Sequence, residues 1–483
     1  MKKTKIVCTI GPVSEKEEIL VKMILAGMNV ARLNFSHGDY TEHGDRIAAI
    51  RKAAETAGLP VAIMLDTKGP EIRTGSFEKE VFLAEGQAYM LTTRDIPGDD
   101  SGCSISYKGL PGDVKAGDII LIDDGLVALK VYEVTGGEDI HCIVQNSGSV
   151  KSHKGINVPG IRTSMLPLTE KDRADIEFGI EKDIDFIAAS FVRKASDVMA
   201  IREVLRENQA GHIQIIAKIE NGEGIDNLDE IIEAADCIMV ARGDLGVEVP
   251  AEELPLLQKK IIRKCNRVGK PVITATQLLD SMIRNPRPTR AEVTDVANAI
   301  LDGTDAIMLS GETAIGKYPI ESVATMSRVA KRTEEAMDYF KLLSDHNGEQ
   351  EPSVTDAISH ATCTIAMGLG AEAILTGTSS GYTARMVSKF RPKQPIIATT
   401  TDARVQRRLC LSWGVYCILL PSVVSTDDLI NKTVSEALEH GKVKEGDLVV
   451  ITAGIPVGVG GTTNLIKAHV VGQQLSRGGA GLK

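Results

Sequence analysis

Eight short runs of apolar, largely β-branched residues recur along the first two thirds of the chain, with amphipathic helical segments between them. The runs cover residues 5–10, 29–35, 61–66, 185–191, 214–220, 237–245, 271–277 and 306–312. Strands that alternate with helices favour a parallel sheet, because parallel neighbours need a crossover that is usually a helix. Eight such units predict a (β/α)8 TIM barrel, whose active site lies at the carboxyl ends of the strands.

About a hundred residues interrupt this pattern after the third run. Between about Gly69 and Pro167 the segments are short and alternating, and DIILIDDGLVALKVYEV predicts a hairpin that turns at Asp124-Gly125. We therefore expect residues 69–167 to form a small all-β domain. Because it leaves from the end of the third strand, it would stand over the carboxyl face of the barrel and act as a lid.

The pattern changes again after the polar stretch Ser344 to Pro352, which we interpret as a linker. Five further apolar runs, with helical segments between the first four, follow it at 371–377, 394–400, 414–420, 447–454 and 464–471. This predicts a doubly wound α/β domain over residues 353–483. The barrel would then occupy residues 1–68 and 168–343.

Charge and cysteine content exclude several classes of protein. The net charge of −10 and the lack of a basic stripe argue against nucleic acid as a partner. No apolar run approaches the ~18 residues of a membrane span, and the first residues do not resemble a signal peptide. The eight cysteines show no CxxC spacing, which favours reduced core residues and a cytoplasmic location. We expect small molecules and further copies of this chain as partners.

The fifth run ends in two opposite charges that share one face. In IQIIAKIENGEG, Lys218 and Glu220 are two residues apart on a predicted strand, so both point to the same side. The sixth run ends MVARGDLGVE and places Asp244 at the equivalent height, beside Gly243 and Gly246. Considered alone, the Lys218 and Glu220 pair is as consistent with a structural salt bridge as with a functional site.

Two carboxylates from adjacent strand ends offer the hard oxygen ligands that Mg²⁺ accepts, with its other positions left for water and substrate. Lys218 would neutralise charge on the same ligand, and the neighbouring glycines would let a substrate carboxylate approach backbone N–H groups. On this hypothesis both charges face one anionic substrate, Glu220 through the metal and Lys218 directly.

A second polar cluster lies on the second and third runs. In NVARLNFSHGD, Arg32, Asn34 and Ser36 alternate and so share a face, and an arginine has the planar fork that suits phosphate. The third run ends LDTKGPEIRTG and adds Asp66 and Thr67. Together Asn34, Ser36, Asp66 and Thr67 could enclose another cation. The alternatives are a salt bridge for the arginine and ordinary turn hydrogen bonds for the other residues.

Thr276 stands at the end of the seventh run, in ITATQLLDSM, where its hydroxyl could join a proton relay or cap a following helix. The segment GETAIGKY, residues 311–318, fits part of a P-loop pattern. Tyr318 replaces the Ser or Thr that would bind magnesium, so we interpret the segment as the eighth strand-to-helix turn.

In the last domain, TGTSSGYTAR follows a strand and opens a helix with many hydroxyls and free N–H groups. Its residues Thr378, Ser379, Ser380 and Thr383 are candidates for a phosphate site, although plain helix capping fits the local sequence as well.

With these residues assembled, the chain resembles the pyruvate kinases. The motifs NFSHG, LDTKGPEIRTG, KGINVPG, AKIENGEG, MVARGDLGVE, ITATQLLDSM and NPRPTRAEVTDVANAILDGTDAIMLSGET occur in the order of that family. The resemblance implies a barrel with a β lid and a carboxyl-terminal regulatory domain, assembled as a homotetramer. It also implies the conversion of phosphoenolpyruvate and ADP to pyruvate and ATP, with Mg²⁺ and K⁺ as cofactors.

The resemblance also implies roles for individual residues. Lys218 would stabilise the transferring phosphoryl group and the enolate, Arg32 would hold the same phosphate, and Thr276 would contact the substrate carboxylate and assist protonation. The remaining implied sites are substrate at Gly243 and Asp244, Mg²⁺ at Glu220 and Asp244, K⁺ at Asn34, Ser36, Asp66 and Thr67, and nucleotide at Asn34, His37, Arg73 and Lys154.

Three positions bear on how this chain differs within the family. Gly222 replaces a longer polar residue, which we expect to be tolerated because it lies past the ligands. The loop GIPVGVGG lacks the arginine and aromatic residue of members regulated by fructose bisphosphate, which leaves the identity of a phosphorylated effector open. Glu71 is the residue that the resemblance associates with potassium dependence.

Two other functions are compatible with the same residue types. A magnesium-dependent barrel lyase or aldolase acting on pyruvate-like enolates would also use acidic residues and arginine, but it would not need ADP. A non-catalytic sensor of sugar phosphates would have no use for the intact set Lys218, Glu220, Asp244 and Thr276.

Overall fold

The computed structural model describes residues 1–345, 353–455 and 463–473. Its central element is a closed barrel of eight parallel strands, in which the first and eighth strands pair with each other. The strands are Lys5–Thr9, Val30–Asn34, Ala62–Asp66, Phe186–Ala189, Gln214–Ile219, Cys237–Ala241, Val272–Ala275 and Ala306–Leu309. Each predicted run contains one of these strands, so the predicted barrel is confirmed.

Every predicted run extends beyond its strand by at least one residue, and at the second and sixth strands this changes where a candidate site residue lies. Pairing between the sixth and seventh strands ends at Ala241 and Ala275, and a helix begins at Arg242, so Asp244 lies in a first helical turn. The second strand ends at Asn34, which places Ser36 in the following turn. The predictions that Asp244 ends a strand and that Ser36 lies on one are therefore wrong. An apolar run shows which residues are buried. It does not show where the hydrogen bonds to the neighbouring strand end, and those bonds define the strand.

Residues on the barrel strands are buried on both faces, which explains why the runs are apolar throughout. On the first strand, Ile6 and Cys8 belong to the cluster between barrel and helices, and Val7 belongs to the cluster inside the barrel. The barrel interior is thus a packed core, and a functional site is left to its rim.

Helices surround the barrel, and two of them begin with a reciprocal capping box, formed by Thr169 with Asp172 and by Thr289 with Glu292. None of the helices in the described part of the chain is long and apolar enough to cross a membrane. The helices are Glu17–Ala26, Tyr40–Ala57, Glu170–Glu181, Ala195–Glu207, Gly222–Asp226, Leu228–Ala234, Arg242–Glu248, Leu254–Val268, Arg290–Leu301, Gly311–Ala314, Pro319–Glu335 and Tyr339–Ser344, with a 3₁₀ turn at Asp280–Ile283.

Short strands fill the segment between the third and fourth barrel strands, as predicted. Seven of them form one sheet and two pair separately, with one short helix, Leu110–Asp113. The predicted hairpin is present, and Asp123, Asp124 and Gly125 in its turn all have positive φ. The strands are Ile72–Arg73, Val81–Leu83, Ala88–Thr92, Gly102–Ser104, Ile119–Ile122, Val127–Thr135, Asp139–Val144, Gly148–Val150 and Gly155–Asn157.

The last part of the chain is a five-stranded sheet whose final strand is antiparallel to its neighbour. Residues 346–352 of the predicted linker, and 456–461 of the final loop, lie outside the described residues. The strands are Ala373–Gly377, Ile396–Thr400, Val415–Leu419, Leu448–Ala453 and Leu465–Val470. The helices are Val354–Gly368, Tyr382–Lys389, Ala403–Arg408 and Thr426–Glu439, with a 3₁₀ turn at Leu409–Leu411.

This last domain contacts the barrel at the amino ends of the strands. Three buried charged residues that begin or precede barrel strands carry these contacts. They are Lys5 Nζ with the Val415 carbonyl (2.5 Å), Asp185 with Arg407 (2.6 Å) and Asp305 with Arg391 (2.8 Å). The carboxyl ends of the same strands are left to the lid and to the candidate site.

Candidate active site

Lys218 projects from the fifth barrel strand into a cluster of acceptors. Its Nζ atom lies 2.6 Å from Ser190 Oγ, 3.0 Å from Glu220 Oε1 and 3.1 Å from Asp66 Oδ1. Burial opposes the charge, but the carboxylates of Asp66 and Glu220 outweigh it and raise the pKa of Lys218. The ammonium is therefore held charged, with one acceptor for each of its three N–H bonds.

Glu220 follows the last residue of the fifth strand and is 1% exposed. Its Oε2 atom accepts a hydrogen bond of 2.5 Å from the backbone N–H of Phe191. Burial raises its pKa to about 7, against the opposing effect of Lys218, and the Asp244 carboxylate adds to the increase. The structure thus brings Lys218 and Glu220 together, and it leaves Glu220 short of positive charge.

Arg32 has a partner that the sequence did not indicate. Its Nε atom lies 2.5 Å from Asp66 Oδ2, and its NH1 group donates to Thr9 Oγ1 at 2.9 Å. Burial works against the Asp66 charge, yet Arg32 and Lys218 together hold the pKa of Asp66 below its usual value. Asp66 therefore joins both cations of the cluster.

Gly243, Asp244 and Thr276 meet where the sixth and seventh strands end. The backbone N–H of Gly243 donates to Thr276 Oγ1 at 2.8 Å, and that hydroxyl donates to the Ala275 carbonyl at 2.6 Å. Thr276 has a φ of +69°, which is unusual for a β-branched residue and turns the chain sharply after the strand. The hydroxyl therefore does not cap the helical turn that follows Thr276, but it accepts from a free N–H in the first turn of the helix Arg242–Glu248.

Asp244 is partly buried, and burial raises its pKa. Lys218 opposes this effect, whereas Asp124 and Glu71 add to it. Both of these acids lie in the segment between the third and fourth barrel strands, so the lid contributes negative charge to the barrel mouth.

The donor set fits a divalent cation. Glu220 and Asp244 are carboxylates whose pKa values are raised by burial, Asp244 adds to the increase at Glu220, and Lys218 opposes the increase at both. Among the described residues, no group of three or more His, Cys, Asp or Glu side chains could hold a metal ion. Mg²⁺ is commonly bound by one or two protein carboxylates, with water and substrate oxygens completing its coordination shell.

A cavity of about 560 Å³ lies between the lid and the barrel mouth and adjoins the cluster at Asp244. Arg73 and Lys154 line it, and each has an acidic partner, Glu71 at 2.5 Å and Asp123 at 2.8 Å. Asn34 and His37, which the structure describes, are not among its lining residues. The structure thus separates the predicted nucleotide residues into two groups.

The oxygens predicted to hold potassium take part in local hydrogen bonds. Asn34 Oδ1 accepts from the Ser36 N–H at 3.1 Å, and Thr67 Oγ1 is within 3.3 Å of the Ala188 carbonyl. Asp66 is paired as described above. Only the Asn34 contact is a turn contact of the kind that the sequence left as an alternative, since Thr67 and Asp66 contact other strands, and the potassium assignment stays a prediction.

The predicted effector residues lie between a strand and the helix Tyr382–Lys389. Thr378 Oγ1 accepts from the Gly381 N–H at 3.0 Å, Ser379 and Ser380 are exposed, and Thr383 is buried with its hydroxyl 3.0 Å from Thr463 Oγ1. Three of the four residues therefore surround the helix start, and Thr383 points into the domain.

Two smaller expectations can be compared with the structure. The segment that begins at Gly311 does form the turn and helix after the eighth strand. A Cβ atom added at Gly222 would meet no other atom within 4 Å, so the backbone leaves room for a longer residue there.

Ser190 and Phe191 were not found by sequence reasoning, although they contact Lys218 and Glu220. A serine directly after a buried strand is a weak signal. Phe191 acts through its backbone N–H, at a φ of +56°, and no side-chain pattern reveals such a contact.

Comparisons with known proteins agree over the whole chain. The family descriptions "Pyruvate kinase, barrel domain" and "Pyruvate kinase, alpha/beta domain" match residues 1–323 and 356–469. The pyruvate kinase of Geobacillus stearothermophilus is 57% identical over 480 residues, which cover 99% of this chain and 82% of the relative. That of Clostridium acetobutylicum is 55% identical over 473 residues, covering 98% and 100%. The crystal structure of a pyruvate kinase from Cryptosporidium parvum is 42% identical, with a TM-score of 0.93 and coverage of 97% and 96%.

Proposed function

This chain belongs to the pyruvate kinase family, and on that premise we propose how its barrel mouth carries out the reaction. The enzyme is a phosphotransferase of glycolysis that converts phosphoenolpyruvate and ADP to pyruvate and ATP. The observation that supports our assignment of roles is the position of the Lys218 ammonium, buried between Asp66, Ser190 and Glu220.

Lys218 stabilises the transferring phosphoryl group and the enolate that remains when the group departs. Transfer of a phosphoryl group requires mainly positioning and neutralisation of charge. The ammonium is held charged by its carboxylate neighbours, and Arg32 is held beside the same aspartate. Two fixed cations on one side of the mouth suit an incoming phosphate, which Arg32 can contact through its Nη2 group while Nε and Nη1 hold Asp66 and Thr9.

Glu220 and Asp244 would hold Mg²⁺, which supplies a fixed positive charge for the oxygens of the substrate. Without a cation, both groups bear the cost of burial, as their raised pKa values indicate. Lys218 and the Mg²⁺ held by the two carboxylates would therefore both face the negative charge of bound phosphoenolpyruvate.

The substrate carboxylate would lie against the Gly243 backbone N–H and the Thr276 hydroxyl. Gly243 has no side chain to prevent this approach. Its N–H group donates to the Thr276 hydroxyl, so both groups lie together where the substrate carboxylate would bind. Thr276, as the hydroxyl nearest this position, would assist the protonation of the enolate.

The nucleotide phosphates would occupy the cavity between lid and barrel. Arg73 and Lys154 face it, and they can exchange Glu71 and Asp123 for phosphate because both side chains are about one third exposed. Asn34 and His37 lie at the turn after the second barrel strand and do not line this cavity. They would contact the nucleotide only if the lid moved towards that turn. Asn34, Ser36, Asp66 and Thr67 would bind K⁺ on the same side of the mouth.

Several properties of the whole protein belong to the same proposal. Residues 1–68 and 168–343 form the catalytic barrel, 69–167 the lid and 353–483 a regulatory domain. A phosphorylated effector binds at Thr378, Ser379, Ser380 and Thr383, and the enzyme is a homotetramer. A cytoplasmic location is supported by eight cysteines that are all free.

A coupled assay of pyruvate formation tests the function, run with phosphoenolpyruvate in the presence and absence of ADP. We expect pyruvate only with ADP, and ADP-independent turnover of phosphoenolpyruvate would contradict the proposal. The same assay with a panel of sugar phosphates and AMP tests the effector site. If Ser380→Asp leaves every activation unchanged, the loop is only a helix start.

A further inference from the structure

Ser190 follows the last residue of the fourth barrel strand and is 6% exposed. Its hydroxyl makes the shortest of the three contacts to Lys218, at 2.6 Å. An ammonium group can only donate, so the hydroxyl accepts this hydrogen bond. Ser190 is also the one neutral partner of Lys218, beside the carboxylates of Asp66 and Glu220.

The proton of this hydroxyl is directed away from Lys218. Ser190 Oγ lies 2.7 Å from the Thr67 carbonyl oxygen and 3.2 Å from Asp66 Oδ1, and both of these are acceptors. The backbone N–H of Ser190 also donates to Thr67 Oγ1 at 3.2 Å. Main chain and side chain are therefore both tied to the third strand's end, with the oxygen lone pairs turned to Lys218.

Gly69, where the chain leaves the barrel for the lid, lies close to Ser190. A Cβ atom at Gly69 would come within 2.8 Å of Ser190 Cβ, and Gly69 has a φ of +71° that favours glycine. The chain thus enters the lid directly over Ser190.

The same turn also fixes Glu220. The Phe191 N–H donates to Glu220 Oε2 at 2.5 Å, and Phe191 has a φ of +56°. A bulky residue persists in this conformation only where its surroundings impose it. Residues 190 and 191 therefore hold both members of the Lys218 and Glu220 pair, one by a hydroxyl and the other by an N–H group.

We propose that Ser190 is a positioning residue for phosphoryl transfer, acting through Lys218. The hydroxyl and Asp66 hold two of the three N–H bonds, and the third, which now meets Glu220, is left to turn to the incoming phosphoryl group. Because the hydroxyl is neutral, it orients the ammonium without neutralising the charge that the substrate requires. The inference rests on the role proposed above for Lys218.

The first test compares Ser190→Ala with wild type. We expect kcat to fall by about 10- to 100-fold, because a misplacement of about 1 Å has that effect on a catalytic group. KM for phosphoenolpyruvate should stay within about twofold, as for an interaction made in the transition state. Ser190→Cys, which keeps a weaker acceptor of similar size, should lie between the two. If Ser190→Ala does not fold, the kcat of Ser190→Cys alone tests the proposal. A wild-type kcat in whichever of the two variants folds would overturn it.

Ser322→Ala is the matched control. Ser322 is fully buried in a barrel helix and its hydroxyl donates to the Tyr318 carbonyl at 2.7 Å, far along the chain from the mouth. Its thermal stability should fall about as much as that of Ser190→Ala, while its kcat stays that of wild type. An equal loss of kcat in both variants would mean that Ser190 contributes only to stability.

A double-mutant cycle with Lys218→Met separates this inference from the role of Lys218. If Ser190 acts through Lys218, adding Ser190→Ala to Lys218→Met should change kcat by less than about twofold. A further 10-fold loss would show an independent role and overturn the inference. High activity of Lys218→Met by itself would instead contradict the proposed function.

Discussion

Lys218 Nζ, from the fifth barrel strand, lies 3.0 Å from Oε1 of Glu220, the residue directly after that strand. The pair is buried, and its members are perturbed in the same direction, since the pKa of each is raised. The carboxylates of Asp66 and Glu220 keep the Lys218 ammonium charged, whereas burial opposes the charge of Glu220.

Lys218→Met should abolish most phosphoryl transfer and leave the fold intact. Methionine retains the length of the side chain and removes the charge, so stabilisation of the transition state is lost. We expect kcat to fall by about 10² to 10³ or more. The exposed Lys260→Met should retain wild-type kcat in the same assay, and near-normal kcat in Lys218→Met would remove the catalytic role of the ammonium.

Glu220→Gln and Asp244→Asn should each increase the magnesium requirement. An amide keeps the shape of the carboxylate but is a poorer ligand for a hard cation. We expect the half-saturating magnesium concentration to rise by about 10- to 100-fold. Magnesium titrations of initial rate provide the measurement, with the exposed Glu233→Gln as control. Curves that coincide with wild type would indicate that both carboxylates are structural.

Glu71→Lys should relieve part of a dependence on potassium. Glu71 adds negative charge near Asp244, and substrate and nucleotide add more, so the closed site needs an extra cation. We expect wild-type activity to be low in a tetraalkylammonium buffer without small monovalent cations and to recover when potassium is added. The variant should retain more of its activity there. Full wild-type activity in that buffer would argue against both Glu71 and the predicted potassium residues.

Stability should depend on pH through Lys5. Burial lowers the pKa of Lys5 from 10.5 to about 8, beside the Val415 carbonyl. Between about pH 8 and the unfolded pKa, the unfolded chain binds one proton more than the native one, so the free energy of unfolding rises by about 1.4 kcal/mol per pH unit from this group. Wild type should therefore gain stability relative to Lys5→Met as the pH increases from about 7 to about 9.5.

Thermal unfolding midpoints of both proteins at the two pH values measure this gain. Titrations of groups remote from Lys5 cancel in the difference, whereas those of Lys2, Cys410 and Cys417, which interact with Lys5, are part of what the comparison measures. The exposed Lys22→Met should differ from wild type by the same amount at both pH values. A difference for Lys5→Met that is also independent of pH would show that this lysine keeps an ordinary proton affinity in the native protein.

The barrel could be predicted because its strands are buried on both faces and stand out as continuous apolar runs. The residue at which each strand stops pairing with its neighbour could not be predicted, and for this reason Asp244 was assigned to a strand. Partners across strands, such as Asp66 for Arg32, depend on which strands adjoin and in what register, and a single sequence does not give that. The contact of Phe191 with Glu220 is made by a backbone N–H group and depends on a backbone angle. The residue types in the sequence therefore could not indicate it.

Asp185 and Ser190 stand at opposite ends of the fourth barrel strand, one bound to Arg407 of the last domain and the other to Lys218. Such a strand spans about 16 Å and has a hydrogen-bonded neighbour on each side, so it resists compression along its axis. We expect a small axial displacement imposed on Arg407 to be passed along this strand to Ser190 and the Lys218 ammonium, with its size limited by the hydrogen bonds to the two neighbouring strands. Communication between the domains would then be mechanical, a sliding of one rigid strand by a fraction of an ångström, with no hinge inside the barrel.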